Sequence, residues 1–141
     1  MRGCFWNCEG FGDTAKHWFI HESIRDLKLD FFAIQETGRD KFSAPFLRFL
    51  AVGLDFVWYC LPPQGRSGGI LVGINAQTLS VKDVRHGKKC VKFDLTSKND
   101  GFEWSLVAVY GAAQDQHKQE FLVELARIAE HGTKPLLVGG L

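Results

Sequence analysis

The chain has 141 residues, 45% of them apolar and 23% charged, with a formal net charge of +1. That length fits one ordinary domain with an ample core, and the composition excludes a disordered tail. Near-neutrality excludes the broad basic surface that announces nucleic-acid binding by charge alone, although a bound metal can supply positive charge locally.

No apolar run approaches a membrane span, and the first apolar cluster is broken by Asn7, Glu9 and Asp13, so no signal peptide is read. The four cysteines are Cys4, Cys8, Cys60 and Cys90. Their spacing contains no C-x-x-C pair, and Cys4 with Cys8 makes a poor zinc half-site. Buried, reduced thiols of an intracellular protein are the expectation.

In chain order, Cys4 to Cys8 predicts an opening strand, ended by the turn Glu9-Gly10-Phe11-Gly12. Asp13 or Thr14 caps a helix over Ala15 to Leu27, with Ala15, Trp18, Phe19, Ile20, Ile24 and Leu27 mostly on one face. Next comes Phe31-Phe32-Ala33-Ile34-Gln35-Glu36-Thr37, an apolar run of the kind buried on both faces. A buried strand has no reason of its own to finish in a carboxylate, whose charge needs water, a metal or a partner. Taken alone, a solvated strand end is the commoner arrangement. Strand, helix, strand within this length is a βαβ unit with parallel neighbouring strands. Asn7 and Glu36 are therefore expected at the same sheet edge.

A short helix is read between Lys41 and Gly53, with Pro45 in its first turn. Strands then follow over Phe56 to Leu61, Gly69 to Ile74, Leu79 to Val84, Cys90 to Leu95 and Phe102 to Tyr110, an antiparallel meander continuing the first pair into one mixed sheet. Lys98-Asn99-Asp100-Gly101 carries an Asp-Gly hairpin signal. Gln116 to Glu130 predicts a helix through its stripe of Phe121, Leu122, Leu125, Ile128 and Ala129, closed by Gly132. Pro135 to Val138 opens a further buried strand, and the chain stops at Gly139-Gly140-Leu141.

Three polar residues end strands of this inferred sheet: Asn7, Glu36 and Tyr110. Asn orients oxygens through its amide, Glu is a hard oxygen ligand for Mg²⁺, and Tyr donates from its phenol. A carboxylate-held Mg²⁺ with donors around it is the minimum apparatus for splitting a phosphodiester. Other candidates are weaker. His17 and His21 stand at i, i+4 but lack the zincin Glu, Trp18 occupying that position, so partly exposed helix histidines are expected. Gly65-Arg66-Ser67-Gly68-Gly69 has no Gly-Lys-Ser/Thr and opens no helix, which argues against a P-loop. Arg66 is read as an exposed loop arginine rather than a phosphate contact. Lys88-Lys89 is too short for a basic patch, and of Trp58 and Tyr59 one is expected in the core rather than stacking a base.

Trp6-Asn7, Phe32-Ala33-Ile34-Gln35-Glu36-Thr37, Gly65-Arg66-Ser67-Gly68-Gly69-Ile70, Val109-Tyr110-Gly111 and Pro135-Leu136-Leu137-Val138-Gly139-Gly140 follow one another as in the endonuclease/exonuclease/phosphatase (DNase I-like) superfamily, which the chain resembles nearly end to end. Gly65 to Ile70 and the wording around Trp58-Tyr59 look most like the apurinic-type endonuclease domain of plant LINE-type (non-LTR) retrotransposons. The resemblance implies an α/β fold, the N-terminal part of a four-layer α/β/β/α sandwich of mixed sheets with flanking helices. It implies Glu36 as the metal-binding glutamate, Asn7 as the active-site asparagine beside it, and Tyr110 as the phosphate-contacting tyrosine. Mg²⁺ or Mn²⁺ as cofactor, the DNA backbone as partner and a nuclear location follow from it too. The family's next motif is Gly-Asp-Phe-Asn, with an Asp-His pair later, whereas here Gly140 is followed by Leu141. Residues 1–141 are accordingly expected to be an incomplete domain, its C-terminal part missing and inactive alone; if the second sheet is missing with it, the inner face of the first meets water. A catalytically dead remnant of a retroelement, or a phosphatase or sphingomyelinase branch, are the alternatives.

Overall fold

A computed structural model of the chain describes residues 1–63, 68–87, 90–109 and 115–140. It divides into two compact units, Met1–Leu79 and Ser80–Leu141. Among the described residues no helix is long and apolar enough to cross a membrane.

The first unit begins with β1 (Gly3–Asn7), α1 (Thr14–Leu27) and β2 (Phe31–Gln35), and β1 pairs with β2 in parallel as the βαβ pattern requires. Asp13 caps α1 by accepting from the Ala15 N–H at 2.9 Å. α2 (Ala44–Leu50) is shorter than its apolar pattern suggested, because Ser43 caps it and Pro45 stands in its first turn. β3 (Phe56–Leu61) and β4 (Ile70–Asn75) complete a sheet of order β1-β2-β4-β3. Ile20 and Ile24 of α1 pack with Phe32, Ile34, Leu50 and Leu71 in one buried cluster.

The stripe expected on α1 is narrower than its composition. Residues four apart share a face, so Ile20 and Ile24 are buried while Trp18, Phe19 and Leu27 stay about half exposed. Phe19 leans on Trp6 (ring centroids 4.7 Å apart) and Trp18 on Phe49 (5.0 Å). The cysteine expectation also needs correction: all four are free, but only Cys8 and Cys90 are buried, and Cys60 is exposed.

The meander does not continue into one sheet. β4 lies between β2 and β3, so both its edges are used, and β5 (Leu79–His86) must pair elsewhere. With β6 (Cys90–Ser97), β7 (Glu103–Val109) and β8 (Leu136–Gly139) it forms a second mixed sheet, in which β6 is antiparallel and β8 parallel to β7. Tyr110 therefore follows a strand of a different sheet from Asn7 and Glu36. Nor is the second sheet missing. Phe31, Ala33, Val72 and Ile74 of β2 and β4 are all buried.

The hairpin joining β6 to β7 uses a four-residue turn at the Asp-Gly signal, with Gly101 at φ 74° and its N–H donating to the Ser97 carbonyl at 2.8 Å. α3 (Asp115–His131) lays Leu125 and Ile128 on Cys90, Val107 and Val109, while Leu122 of the predicted stripe is exposed.

A methyl group at Gly73 would meet the Trp58 ring at 2.5 Å. Gly73→Ala is expected to destabilise the first unit by about 1–3 kcal/mol through overpacking. Denaturant midpoints measure this, and in a Trp58→Leu background the loss should shrink, because the two sites share one contact. In the second unit, burial pushes the Cys90 thiol from 9.0 up to about 12, with hydrogen bonding to Glu124 and its charge adding to the effect. The folded chain thus holds this proton longer than the unfolded chain. Stability from Cys90 is complete below pH 9 and is lost as pH rises toward 12. Cys90→Ala should flatten that alkaline decline in a pH series of denaturant midpoints.

Candidate active site

Asn7 is the last residue of β1 and Glu36 the first beyond β2. Asn7 is in register with Gln35, so the two polar residues leave the sheet at one carboxyl edge. Sheets of this kind bind ligands at that edge, because loops take over there. Tyr110, Arg66, Lys88 and Lys89 lie outside the described residues.

Glu36 is tied on both sides through backbone. Its carbonyl accepts from the Gly10 N–H at 2.6 Å, and the neighbouring Gln35 carbonyl from the Cys8 N–H at 3.0 Å. Beyond it, the Thr37 and Gly38 N–H groups donate to the Gly69 and Gly68 carbonyls at 3.4 and 2.6 Å. A Cβ on Gly68 would stand 2.9 Å from the Glu36 Cα, so this approach requires glycine. Glu36 itself sits at φ 57°, and Glu9 in the facing loop at φ 52°. The left-handed region costs a non-glycine residue roughly 1–2 kcal/mol, and such strain persists where the surroundings enforce it. The turn also frees Glu36 from the pleat: every residue of β2 is buried, whereas Glu36 is half-buried.

Among the described residues no Lys, Arg or His forms an ion pair with the Glu36 carboxylate. Two cations of the adjoining loop and helix, Lys16 and Arg39, are committed to backbone. Lys16 Nζ donates to the carbonyls of Cys8, Gly10 and Glu9 at 2.5, 3.1 and 3.4 Å. Arg39 donates to the Phe11 carbonyl at 3.2 Å, its guanidinium about 6 Å above the Phe11 and Phe46 rings. Asn7 is exposed, and its Oδ1 accepts from the Glu9 N–H at 3.2 Å, which leaves its NH₂ to donate outward. No three His, Cys, Asp or Glu gather among the described residues, so the set does not resemble a zinc cage. One half-buried carboxylate beside an amide does fit Mg²⁺ or Mn²⁺, which are held through one or two carboxylates, with waters and substrate oxygens completing the shell.

The remaining candidates have structural employment. His17 Nε2 bonds the Phe11 carbonyl at 2.7 Å and His21 Nδ1 the Phe49 carbonyl at 2.6 Å. Trp58 packs on the core, while Tyr59 is half-buried and burial pushes its phenol up. Burial also pushes the Cys8 thiol up, the Gly10 N–H and Lys16 pulling the other way, so Cys8 is a neutral thiol under Glu36 and no nucleophile. Sequence reasoning missed Lys16, the buried Gln35 and Thr37, and Gly68. A signal existed for one of them: Lys16 is a cation in the first turn of a helix with no acid there, where the dipole disfavours it.

Glu36→Gly should remove the left-handed penalty and leave the chain as stable or about 1 kcal/mol more stable, opposite to the usual effect of truncating a half-buried side chain. Thermal and denaturant unfolding of the variant measure this directly.

The sequence profile of the Endonuclease/Exonuclease/phosphatase family matches residues 4–140. No curated protein matches the sequence. Among solved structures, the chain is similar to a mannosyl-6-phosphatase of Bacteroides thetaiotaomicron, with 11% identity and a TM-score of 0.65 over 96% of this chain and 62% of that one. It is similar to the human Nocturnin catalytic domain with bound sulfate, with 13% identity and a TM-score of 0.68 over 89% and 55%. It is also similar to D. rerio TDP2 complexed with a single-strand DNA product, with 9% identity and a TM-score of 0.67 over 95% and 56%. The chain thus spans between 55% and 62% of these structures' length. At such identities the likeness shows the fold, α/β with two mixed sheets and flanking helices of the DNase I-like kind. With the profile matched over nearly its whole length, the chain belongs to the endonuclease/exonuclease/phosphatase family.

Proposed function

We propose that residues 1–141 form the N-terminal part of a divalent-metal-dependent phosphoesterase acting on DNA, in the manner of a retrotransposon endonuclease. The observation that carries this reading is the pairing of Asn7 and Glu36 at one carboxyl edge, with Glu36 held in a strained backbone and free of ion pairs among the described residues. A remnant released from selection has no reason to retain that strain. The TDP2 structure with its DNA product favours a nucleic-acid substrate, and the sulfate of Nocturnin favours a tetrahedral oxyanion.

In this reading the Glu36 carboxylate supplies the hard oxygen for Mg²⁺ or Mn²⁺. The bound ion supplies Lewis-acid polarisation of a phosphoryl oxygen and stabilises the leaving oxygen. The Asn7 amide, anchored through its Oδ1, directs its NH₂ toward the phosphate or the carboxylate. Tyr110 donates its phenol to a phosphoryl oxygen. The groups that orient water belong to the part of the domain that follows, so hydrolysis requires the completed domain. A nuclear place of action goes with that substrate.

The test is nicking of supercoiled plasmid in Mg²⁺ by the chain joined to the C-terminal part of the domain. Glu36→Ala is expected to cut the rate about a thousandfold or more. Unchanged nicking would refute the assignment of Glu36. Parallel assays on mannose 6-phosphate separate the diesterase reading from the monoesterase one that the phosphatase likeness suggests.

A further inference from the structure

Two peptide units of the β1–α1 loop each touch Lys16 with one end and the candidate site with the other. The unit joining Cys8 to Glu9 turns its carbonyl to Lys16 Nζ at 2.5 Å and its N–H to Asn7 Oδ1 at 3.2 Å. The unit joining Glu9 to Gly10 turns its carbonyl to Nζ at 3.4 Å and its N–H to the Glu36 carbonyl at 2.6 Å. The Gly10 carbonyl, at 3.1 Å, takes the third ammonium proton. This convergence needs the left-handed Glu9 (φ 52°) and Gly10 (φ 95°), which bend three successive carbonyls toward one point.

The arrangement does more than close a loop. A cation on a carbonyl polarises that peptide and makes its N–H a stronger donor, and hydrogen bonds in series reinforce one another. Here the polarised donors grip the two side-by-side residues of the site. The ammonium also occupies the first turn of α1, where the helix dipole opposes it, so the three carbonyls must hold it there. We propose that Lys16 is a positioning residue of the Asn7–Glu36 site, fixing both residues through these two peptide units. This rests on the reading of Glu36 as the metal-holding carboxylate.

The experiment measures Mn²⁺ binding to the 141-residue chain by electron paramagnetic resonance of the free ion, with thermal unfolding recorded alongside. Wild type is expected to bind Mn²⁺ and Glu36→Gln to lose it. Lys16→Met should weaken binding about 10- to 100-fold, as for groups that orient a metal ligand, and Lys16→Arg, which keeps the charge, should retain most of the affinity. Lys16→Met should also move the Glu9 and Gly10 amide proton resonances upfield. Lys16→Gln, a donor without charge, replaces Lys16→Met should that variant not fold. If Glu36→Gln loses Mn²⁺ while the neutral Lys16 variants bind it like wild type, at whatever thermal stability, the positioning role is overturned and the metal reading stands. If wild type binds no Mn²⁺, or Glu36→Gln binds it like wild type, both fall.

Discussion

The site depends on one backbone event: the chain leaves β2 at Glu36 in a left-handed conformation without losing its hydrogen bonds. An extended residue there would prolong the pleat and send its carboxylate along the alternation of the strand. The left-handed turn breaks that alternation, and the Gly10, Gly38 and Gly68 backbones satisfy the polar groups it would otherwise strand. Glycine at 68 gives the room, and the parallel ladder with β1 gives the alignment. The conformational cost is spread over several modest bonds, each worth about 1 kcal/mol.

β4 explains much of the remaining architecture. It is antiparallel to both β2 and β3, and its apolar run is buried nearly throughout. With both edges taken it cannot extend the sheet further. After the turn at Ala76–Thr78 the chain begins a second sheet, which has its own parallel pair, β7 and β8. The small Gly73 in β4 is the counterpart of the large Trp58 across the ladder. Bulk missing from one strand is supplied by its neighbour.

The fold class and the boundaries of most elements were legible because their signals are local. The β1–α1–β2 unit, Asp13 as cap, the β3 limits and the Asp-Gly turn all follow from periodicity, caps and breakers. Strand order was not legible. Nothing in the spacing of Phe56 to Leu61 and Ile70 to Asn75 shows that the later strand inserts between β2 and the earlier one, nor that the strands from Leu79 onward form a sheet of their own. On α1 the pattern gave the right helix and an overwide buried face, because aromatic rings shield one another at the rim without entering the core. Asn7 and Glu36 could be placed together from the βαβ rule alone. The backbone lacing around them, and the part played by Lys16, could not, because peptide hydrogen bonds leave little trace in side-chain identity.

The register of β1 on β2 bears on which length changes the family fold can absorb. Asn7 meets the end of β2 through ladder pairing, and the helical crossover between them only has to be long enough to return. Insertions on the solvent side of that crossover leave the meeting point untouched. A single residue added within β1 would put Trp6 opposite Gln35 and turn the asparagine to the other face. Lineages of this fold should therefore vary freely in crossover length and hardly at all in the first strand.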